Sequence, residues 1–149
     1  FTLTNFVLNC RLIEGNYPNY NSVIPQSGPN RLIIDRSMFT NVLRRVSVFS
    51  NQASSLVKLQ LQENQMVVSA QNIDFSTSAE ETIECNYSGD NLVIGFSANY
   101  LIEILNNIPS QQIVLELSDA TRAGIILPLE NKENEELLML LMPMMLTDF

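Results

Sequence analysis

The sequence predicts an α+β domain in which two amphipathic helices pack on antiparallel sheets. Apolar residues make up 46% of the 149 residues and charged residues 16%, which is enough apolar material for one core. In several segments apolar side chains recur at every second residue, as they do in half-buried strands. Two other segments have the helical period. The resulting order is a β-α-β-β-β unit followed by a second one, an internal repeat of structure.

The first 30 residues predict a strand and then a connector. Apolar residues alternate with polar ones between Phe6 and Leu12, so we expect residues 1–14 to form a strand or one arm of a hairpin. Three Pro and two Gly between positions 15 and 29 indicate a connector or a domain boundary. Because the chain starts at Phe1, inside this expected strand, we expect a fragment excised from a longer protein.

The first unit of the repeat begins with a short strand over residues 31–34. Asp35 is expected to cap the following helix, which runs to about residue 50, because its carboxylate can accept the free amide hydrogens of the first turn. Helical spacing places Phe39, Leu43 and Val46 on the face toward the core. The strands expected next span residues 57–62, 66–70 and 75–87.

The second unit repeats this order. A strand over residues 92–96 leads to Ser97, which is expected to cap a helix over residues 98–107 that stops before Pro109. Three strands are expected to follow, over residues 112–117, 124–129 and 137–142. The loop at residues 130–136 carries four Glu and is expected to be solvated.

Composition excludes several classes of function. Sixteen acidic and eight basic residues give a net charge of −8, which argues against a simple basic DNA-coating protein. The chain has no His, so a Ser-His-Asp triad and a His-ligated metal site are excluded. Glycine-rich phosphate loops and calcium-loop patterns are absent, and we expect neither a metal nor a cofactor. We expect Cys10 and Cys85 to be free thiols in a reducing, cytoplasmic compartment, with a single bridge as the minority alternative.

Paired carboxylates are the candidates for acid–base chemistry. Glu80 and Glu81 lie on a predicted strand, where neighbouring side chains point to opposite faces and cannot converge. Glu135 and Glu136 lie in the charged loop. A small acidic hydrolase using Glu80 or Glu135 is therefore kept as the alternative hypothesis, without a convergent pair to support it.

The basic residues and the C-terminus each allow two interpretations. Four of the eight cations, Arg31, Arg36, Arg44 and Arg45, fall within fifteen positions, and they serve either solubility or sequence-independent contact with phosphates. The stretch 140–146 is strongly apolar and contains three Met. It is either a last core strand or a surface that accepts varied apolar peptides.

Four motifs in this order carry a family resemblance: residues 12–20 (LIEGNYPNY), Tyr87-Ser88-Gly89, Ile94-Gly95-Phe96 with Tyr100, and Met142-Pro143-Met144. Together they resemble the C-terminal part of the bacterial DNA polymerase III beta subunits, the sliding clamps. The resemblance implies the DNA-clamp fold. It also implies that residues 1–22 end the middle domain of a three-domain chain and that residues 23–149 form its third domain.

The resemblance implies a non-catalytic processivity factor of the replicative DNA polymerase. Such a clamp is a head-to-tail homodimer of the full-length chain that encircles duplex DNA without regard to sequence. It tethers the DNA polymerase III alpha subunit, the clamp loader, repair proteins and other proteins that carry a short apolar clamp-binding motif. A structural interaction module that does not bind DNA is the third hypothesis.

The resemblance also assigns roles to residues. The DNA-facing residues would be Arg44, Arg45, Asn99, Asn106 and Asn107, with the asparagines making weaker or water-mediated contacts. The subunit interface would be formed by Val48, Phe49, Ser78, Glu80 and Glu81. The peptide groove would be formed by Pro18, Ser22, Val23, Ser54, Ser97, Tyr100, Thr121, Leu140, Leu141, Met142, Pro143, Met144, Met145 and Leu146.

The sequence departs from the family at the groove. Ser22 and Met145 stand where the family often has a basic residue, and Ser54 stands where it has a bulky one. We therefore expect peptide affinity to depend more on apolar burial than on polar anchoring. Thr147-Asp148-Phe149 extends past the usual end, which would allow Phe149 to fold back over the groove. Because one wall of the groove and the first domain are missing, we expect this chain to bind peptides poorly and to close no ring.

Overall fold

The computed structural model describes residues 1–25 and 28–146, and it confirms the α+β fold class. A 3₁₀ turn at Tyr20–Ser22 precedes the first strand. The elements are β1 (Asn30–Asp35), α1 (Arg36–Ser47), β2 (Leu56–Gln62), β3 (Gln65–Asn72), β4 (Thr77–Glu84), β5 (Asn86–Ser88), β6 (Leu92–Ser97), α2 (Ala98–Asn107), β7 (Gln112–Leu117), β8 (Gly124–Pro128) and β9 (Met139–Leu141). Neither helix is long and apolar enough to cross a bilayer, as far as the described residues show.

The two halves of the repeat exchange their first strands. One sheet has the order β5-β1-β7-β8-β9 and the other has the order β4-β3-β2-β6. Strand β1 therefore pairs with β7 of the second half, whereas β6 pairs with β2 of the first half, and both pairs are antiparallel. Since neither half completes a sheet by itself, we infer that the two halves fold as one cooperative unit.

A single continuous core joins both helices to both sheets. Helix α1 buries Phe39, Leu43 and Val46, as the helical spacing predicts, and α2 buries Leu101 and Leu105. The inner faces of the sheets contribute fully buried side chains, among them Leu32, Leu59, Leu61, Met66, Ile94 and Phe96. These contacts hold the polar faces of the two helices outward.

The ends of the helices are satisfied in different ways. The Asp35 carboxylate accepts a hydrogen bond from the Met38 amide at 2.7 Å, which confirms the predicted cap of α1. Ser97 occupies the N-cap position of α2 as predicted, but its side chain forms no capping hydrogen bond. At the opposite end of α2, the Arg36 guanidinium of α1 donates to the Leu105 carbonyl in the last turn at 3.1 Å and to the Ser110 carbonyl just beyond the helix at 2.8 Å.

The single strand predicted over residues 75–87 is wrong. It is two strands, β4 and β5, which belong to different sheets and are separated by Cys85. The alternation of apolar and polar residues continues through this crossover because Ile83 and Tyr87, on either side of it, are both buried. A period of two therefore cannot reveal a change of sheet. Phe75 precedes β4 and is exposed rather than paired.

The long strand predicted over residues 1–14 is also wrong, and of the alternative, a hairpin arm, only a short antiparallel contact between residues 1–3 and 6–8 is present. The described structure there is one isolated bridge between Thr2 and Val7, and every residue up to Val23 is exposed. Alternation of apolar and polar residues shows that a segment could bury one face as a strand. A strand also needs a neighbouring strand edge with which to form backbone hydrogen bonds. The expectation for Phe149 falls on residues 147–149, which lie outside the described residues.

Both cysteines are free thiols, as expected. Cys10 is exposed, whereas Cys85 lies at the crossover between the two sheets and is partly buried. Burial raises the pKa of the Cys85 thiol to about 11. Cys85 is therefore protonated and unreactive near neutral pH.

Candidate functional site

The C-terminal segment is built onto the edge of the four-stranded sheet. After β9 the chain leaves the five-stranded sheet, and the Met144 amide donates to the Gly95 carbonyl in β6 at 2.8 Å. A Cβ on Gly95 would lie 2.7 Å from Leu146 Cδ2 and 2.8 Å from the Met144 carbonyl oxygen. Glycine at position 95 is thus what allows this close approach. The Met-rich end is consequently an ordered part of the fold, packed against β6.

This segment turns apolar side chains to the surface. Met142 is 64% exposed and Met145 is 81% exposed, although the neighbouring Leu141 is buried in the core. Tyr100, in the first turn of α2, is 61% exposed and comes five residues after Gly95. Exposed thioether and aromatic side chains beside a fixed backbone are suited to binding apolar peptides.

The structure distributes the other predicted groove residues over three places. Leu141 and Ser97 are buried, which leaves them in supporting positions beneath the surface. Ser54, Leu140, Pro143, Met144 and Leu146 are half-buried near the surface, and Thr121 is exposed in the β7–β8 loop. Pro18, Ser22 and Val23 are exposed in the N-terminal segment, where Ser22 Oγ donates to the Asn19 carbonyl at 2.6 Å.

The exposed face of α1 carries two adjacent arginines with different surroundings. Arg44 and Arg45 are both exposed. Arg45 forms a two-pronged ion pair with Glu81 of β4, through Nε to Oε2 at 3.0 Å and Nη2 to Oε1 at 2.5 Å. These hydrogen bonds raise the pKa of Arg45 and lower the pKa of Glu81. A residue predicted to face DNA is thereby joined to one predicted to lie in the subunit interface.

The exposed face of α2 is uncharged except for Glu103. Asn99 Nδ2 donates to Ser55 Oγ at 2.9 Å, and Asn107 Nδ2 donates to the Glu103 carbonyl at 2.9 Å. Asn106 is exposed, and the last turn of α2 contains no basic residue. Any direct attraction for phosphate on these two helices therefore comes from α1.

An exposed apolar surface lies at the C-terminal end of α1. Val48 is 77% exposed and Phe49 is 39% exposed. The turn before β4 adds Ile73 at 67% and Phe75 at 74%, two residues that the sequence reasoning did not assign to a site. Asn72 Nδ2, just before this turn, donates at 3.5 Å to the carbonyl of Ser50, which lies shortly past the end of α1. Ile73 and Phe75 could have been noticed in the sequence, because they are two large apolar residues in a turn, where polar residues are usual.

The carboxylates of the hydrolase hypothesis lie in separate places. Glu80 is exposed on β4, an edge strand, and lines a shallow cavity of about 300 Å³ with Lys58 and Ser69. Glu135 lines a different cavity of about 380 Å³, together with Glu130, Lys132 and Glu136. Within residues 1–25 and 28–146 no three potential metal ligands cluster. The structure therefore brings together no acid–base pair from these two positions.

Sequence comparison identifies a family over most of the chain. The sequence model of the DNA polymerase III beta subunit, C-terminal domain, matches residues 21–145. The beta sliding clamp of Haemophilus influenzae is 33% identical over 144 residues, and that of Pseudomonas aeruginosa is 29% identical over 145. Both alignments cover 97% of this chain but only 38% of the relative.

Structural comparison gives the same family. A Pseudomonas aeruginosa sliding clamp bound to griselimycin superposes with a TM-score of 0.85 at 29% identity, covering 91% of this chain and 36% of that one. The DNA polymerase III beta subunit of Thermotoga maritima superposes with a TM-score of 0.84 at 26% identity and the same coverage. These similarities confirm that the α+β arrangement is the DNA-clamp fold.

Proposed function

Because this chain belongs to the DNA polymerase III beta subunit family, in the region of its C-terminal domain, we propose that it is the third domain of a sliding clamp. In this proposal residues 1–22 end the middle domain and residues 23–149 form the third. The clamp is a non-catalytic, cytoplasmic processivity factor. Completed to the length of its relatives, it forms a head-to-tail dimer around duplex DNA.

The observation that carries the proposal is the ordered, exposed C-terminal segment. The hydrogen bond from Met144 to Gly95 holds this segment in place, so that Met142 and Met145 are presented on a backbone fixed before any partner binds. A preorganised apolar surface reduces the entropy lost on binding. It suits partners that share a short apolar motif, which we take to include the polymerase alpha subunit, the clamp loader and repair proteins.

The charge distribution supports encirclement of DNA. A net charge of −8 opposes tight binding to a polyanion, but a closed ring needs only a locally basic inner wall. Helix α1 supplies exposed cations, and α2 supplies uncharged amides. Such a wall attracts duplex DNA weakly and without regard to sequence, which permits sliding.

The first test is a calorimetric titration of the 149-residue chain with a short apolar clamp-binding peptide. Met142→Ala removes an exposed thioether without opening the core, and we expect it to weaken binding about fivefold or more. The matched control is Met38→Ala, because Met38 is 40% exposed on α1, away from the C-terminal segment. An equal loss in both variants would contradict the proposed groove.

A second test separates the clamp from a module that only binds peptides. The chain is completed with the matching N-terminal part of a clamp relative and loaded on circular DNA. We expect retention on the circle and loss when the DNA is linearised, because a ring slides off a free end. Rapid loss from the intact circle would contradict encirclement. Peptide binding that appears only in the completed chain would show that the middle domain supplies the decisive wall of the groove.

A further inference from the structure

The adjacent residues Arg44 and Arg45 differ in whether their positive charge is paired with a carboxylate. The Arg45 guanidinium directs Nε and Nη2 at the two carboxylate oxygens of Glu81. Among residues 1–25 and 28–146 no ion pair is found for Arg44, whose side chain is exposed on the same helix. A cation held against a carboxylate presents little net charge to a phosphate, whereas a lone exposed cation presents all of it.

Glu81, the ion-pair partner of Arg45, lies at the edge of a sheet. Glu81 belongs to β4, which is the edge strand of the four-stranded sheet. Its side chain is 35% exposed, and a two-pronged contact holds it in one orientation. Glu80, the preceding residue, is exposed on the other face of the strand. The ion pair therefore ties α1 to the edge strand and fixes how one carboxylate is displayed there.

We propose that the two arginines have separate roles: Arg44 contacts the DNA phosphates, and Arg45 is a positioning residue that orients Glu81 in the subunit interface. This inference rests on the proposed function, because it assumes that β4 meets a second subunit. A fixed carboxylate loses less side-chain entropy when the subunits associate, which strengthens the dimer. Arg45 thus acts on the dimer through Glu81 and contributes little to attraction for DNA.

The test on the dimer uses the completed chain and sedimentation over a range of concentrations. We expect Arg45→Ala to raise the dimer dissociation constant about three- to fivefold, and the matched control Arg44→Ala to leave it unchanged. Glu81→Gln should also weaken the dimer. Adding Arg45→Ala to Glu81→Gln should then cause no further loss, because Arg45 acts only through the carboxylate. Fully additive losses would overturn the inference.

The test on DNA uses the same variants, with the equilibrium affinity for a short linear duplex measured against salt concentration. Arg44→Ala should lower the slope of log affinity against log salt by about 1, as expected for one lost phosphate contact, and Arg45→Ala should lower it much less. Equal losses of slope with an unchanged dimer would overturn the separate roles. A wild-type chain that stays monomeric would overturn the proposed function as well, so the two failures are distinguishable.

Discussion

The two helices occupy equivalent places in the internal repeat, yet they obtain their stability differently. Helix α1 is capped by the residue directly before it, and its last turn contains both Arg44 and Arg45. Cations in the last turn stabilise a helix because they lie near the negative end of its dipole. Helix α2 has no side-chain cap at its start and no basic residue in its last turn. In its last turn the Leu105 carbonyl accepts from Arg36, which belongs to α1.

This difference shows that two equivalent helices in a repeated fold can have different stabilising contacts and different exposed faces. Helix α1 has its own side-chain cap in Asp35 and presents the exposed Arg44 outward. Both helices depend on the assembled domain at their first amide, which donates to the Gln111 carbonyl at 2.9 Å in α1 and to the Ser55 carbonyl at 2.8 Å in α2. Helix α2 depends on it at its last turn as well, through the Arg36 side chain. The exchange of first strands between the halves enforces that dependence, since α2 follows β6, a strand paired with the first half.

The largest expected effect tests whether the two halves are one folding unit. Phe39→Ala in α1 should cost about 3–5 kcal/mol of unfolding free energy, and Leu105→Ala in α2 about 2–5 kcal/mol, because both side chains are fully buried. Each variant should unfold in one transition, seen at the same denaturant concentration by circular dichroism and by tyrosine fluorescence. Separate transitions for the two halves would contradict the unit inferred from the exchanged strands.

Removing the tertiary cap of α2 should have the next largest effect. Arg36→Ala leaves the carbonyls of Leu105 and Ser110 without their donor, and we expect a loss of about 1–2 kcal/mol. Hydrogen exchange should quicken in the last turn of α2 before it does in α1. The matched control is Arg31→Ala, which removes a surface ion pair with Glu116 at 3.8 Å and should cost under about 0.5 kcal/mol. Equal losses would refute the cap.

The smallest effect compares the two N-terminal positions directly. Asp35→Ala removes a capping hydrogen bond and should destabilise the chain by about 1 kcal/mol. Ser97→Ala removes a hydroxyl that caps nothing, and the change in stability should stay within a few tenths of a kcal/mol. Both values come from denaturant unfolding curves. A loss at Ser97 as large as that at Asp35 would mean that its hydroxyl does cap α2 in solution.

Much of the fold follows from the sequence because its signals are local. The period of two predicted most strands, and the helical period placed Phe39, Leu43 and Val46 on the buried face. The motif Met142-Pro143-Met144 pointed to the family by resemblance, which the matches over residues 21–145 confirm. The pairing of Arg45 with Glu81 could not be predicted, because the two residues are 36 positions apart in the sequence.

By itself, then, the sequence determined the order of most elements, the buried faces of the helices, the capping role of Asp35 and the absence of His. Each is a property of neighbouring residues or of composition. Only the tertiary structure decided the exchange of first strands, the change of sheet at Cys85 and the tertiary cap by Arg36. The physical reason is that a hydrogen bond needs a partner that is close in space. Local periodicity in the sequence does not specify which distant residue that partner is.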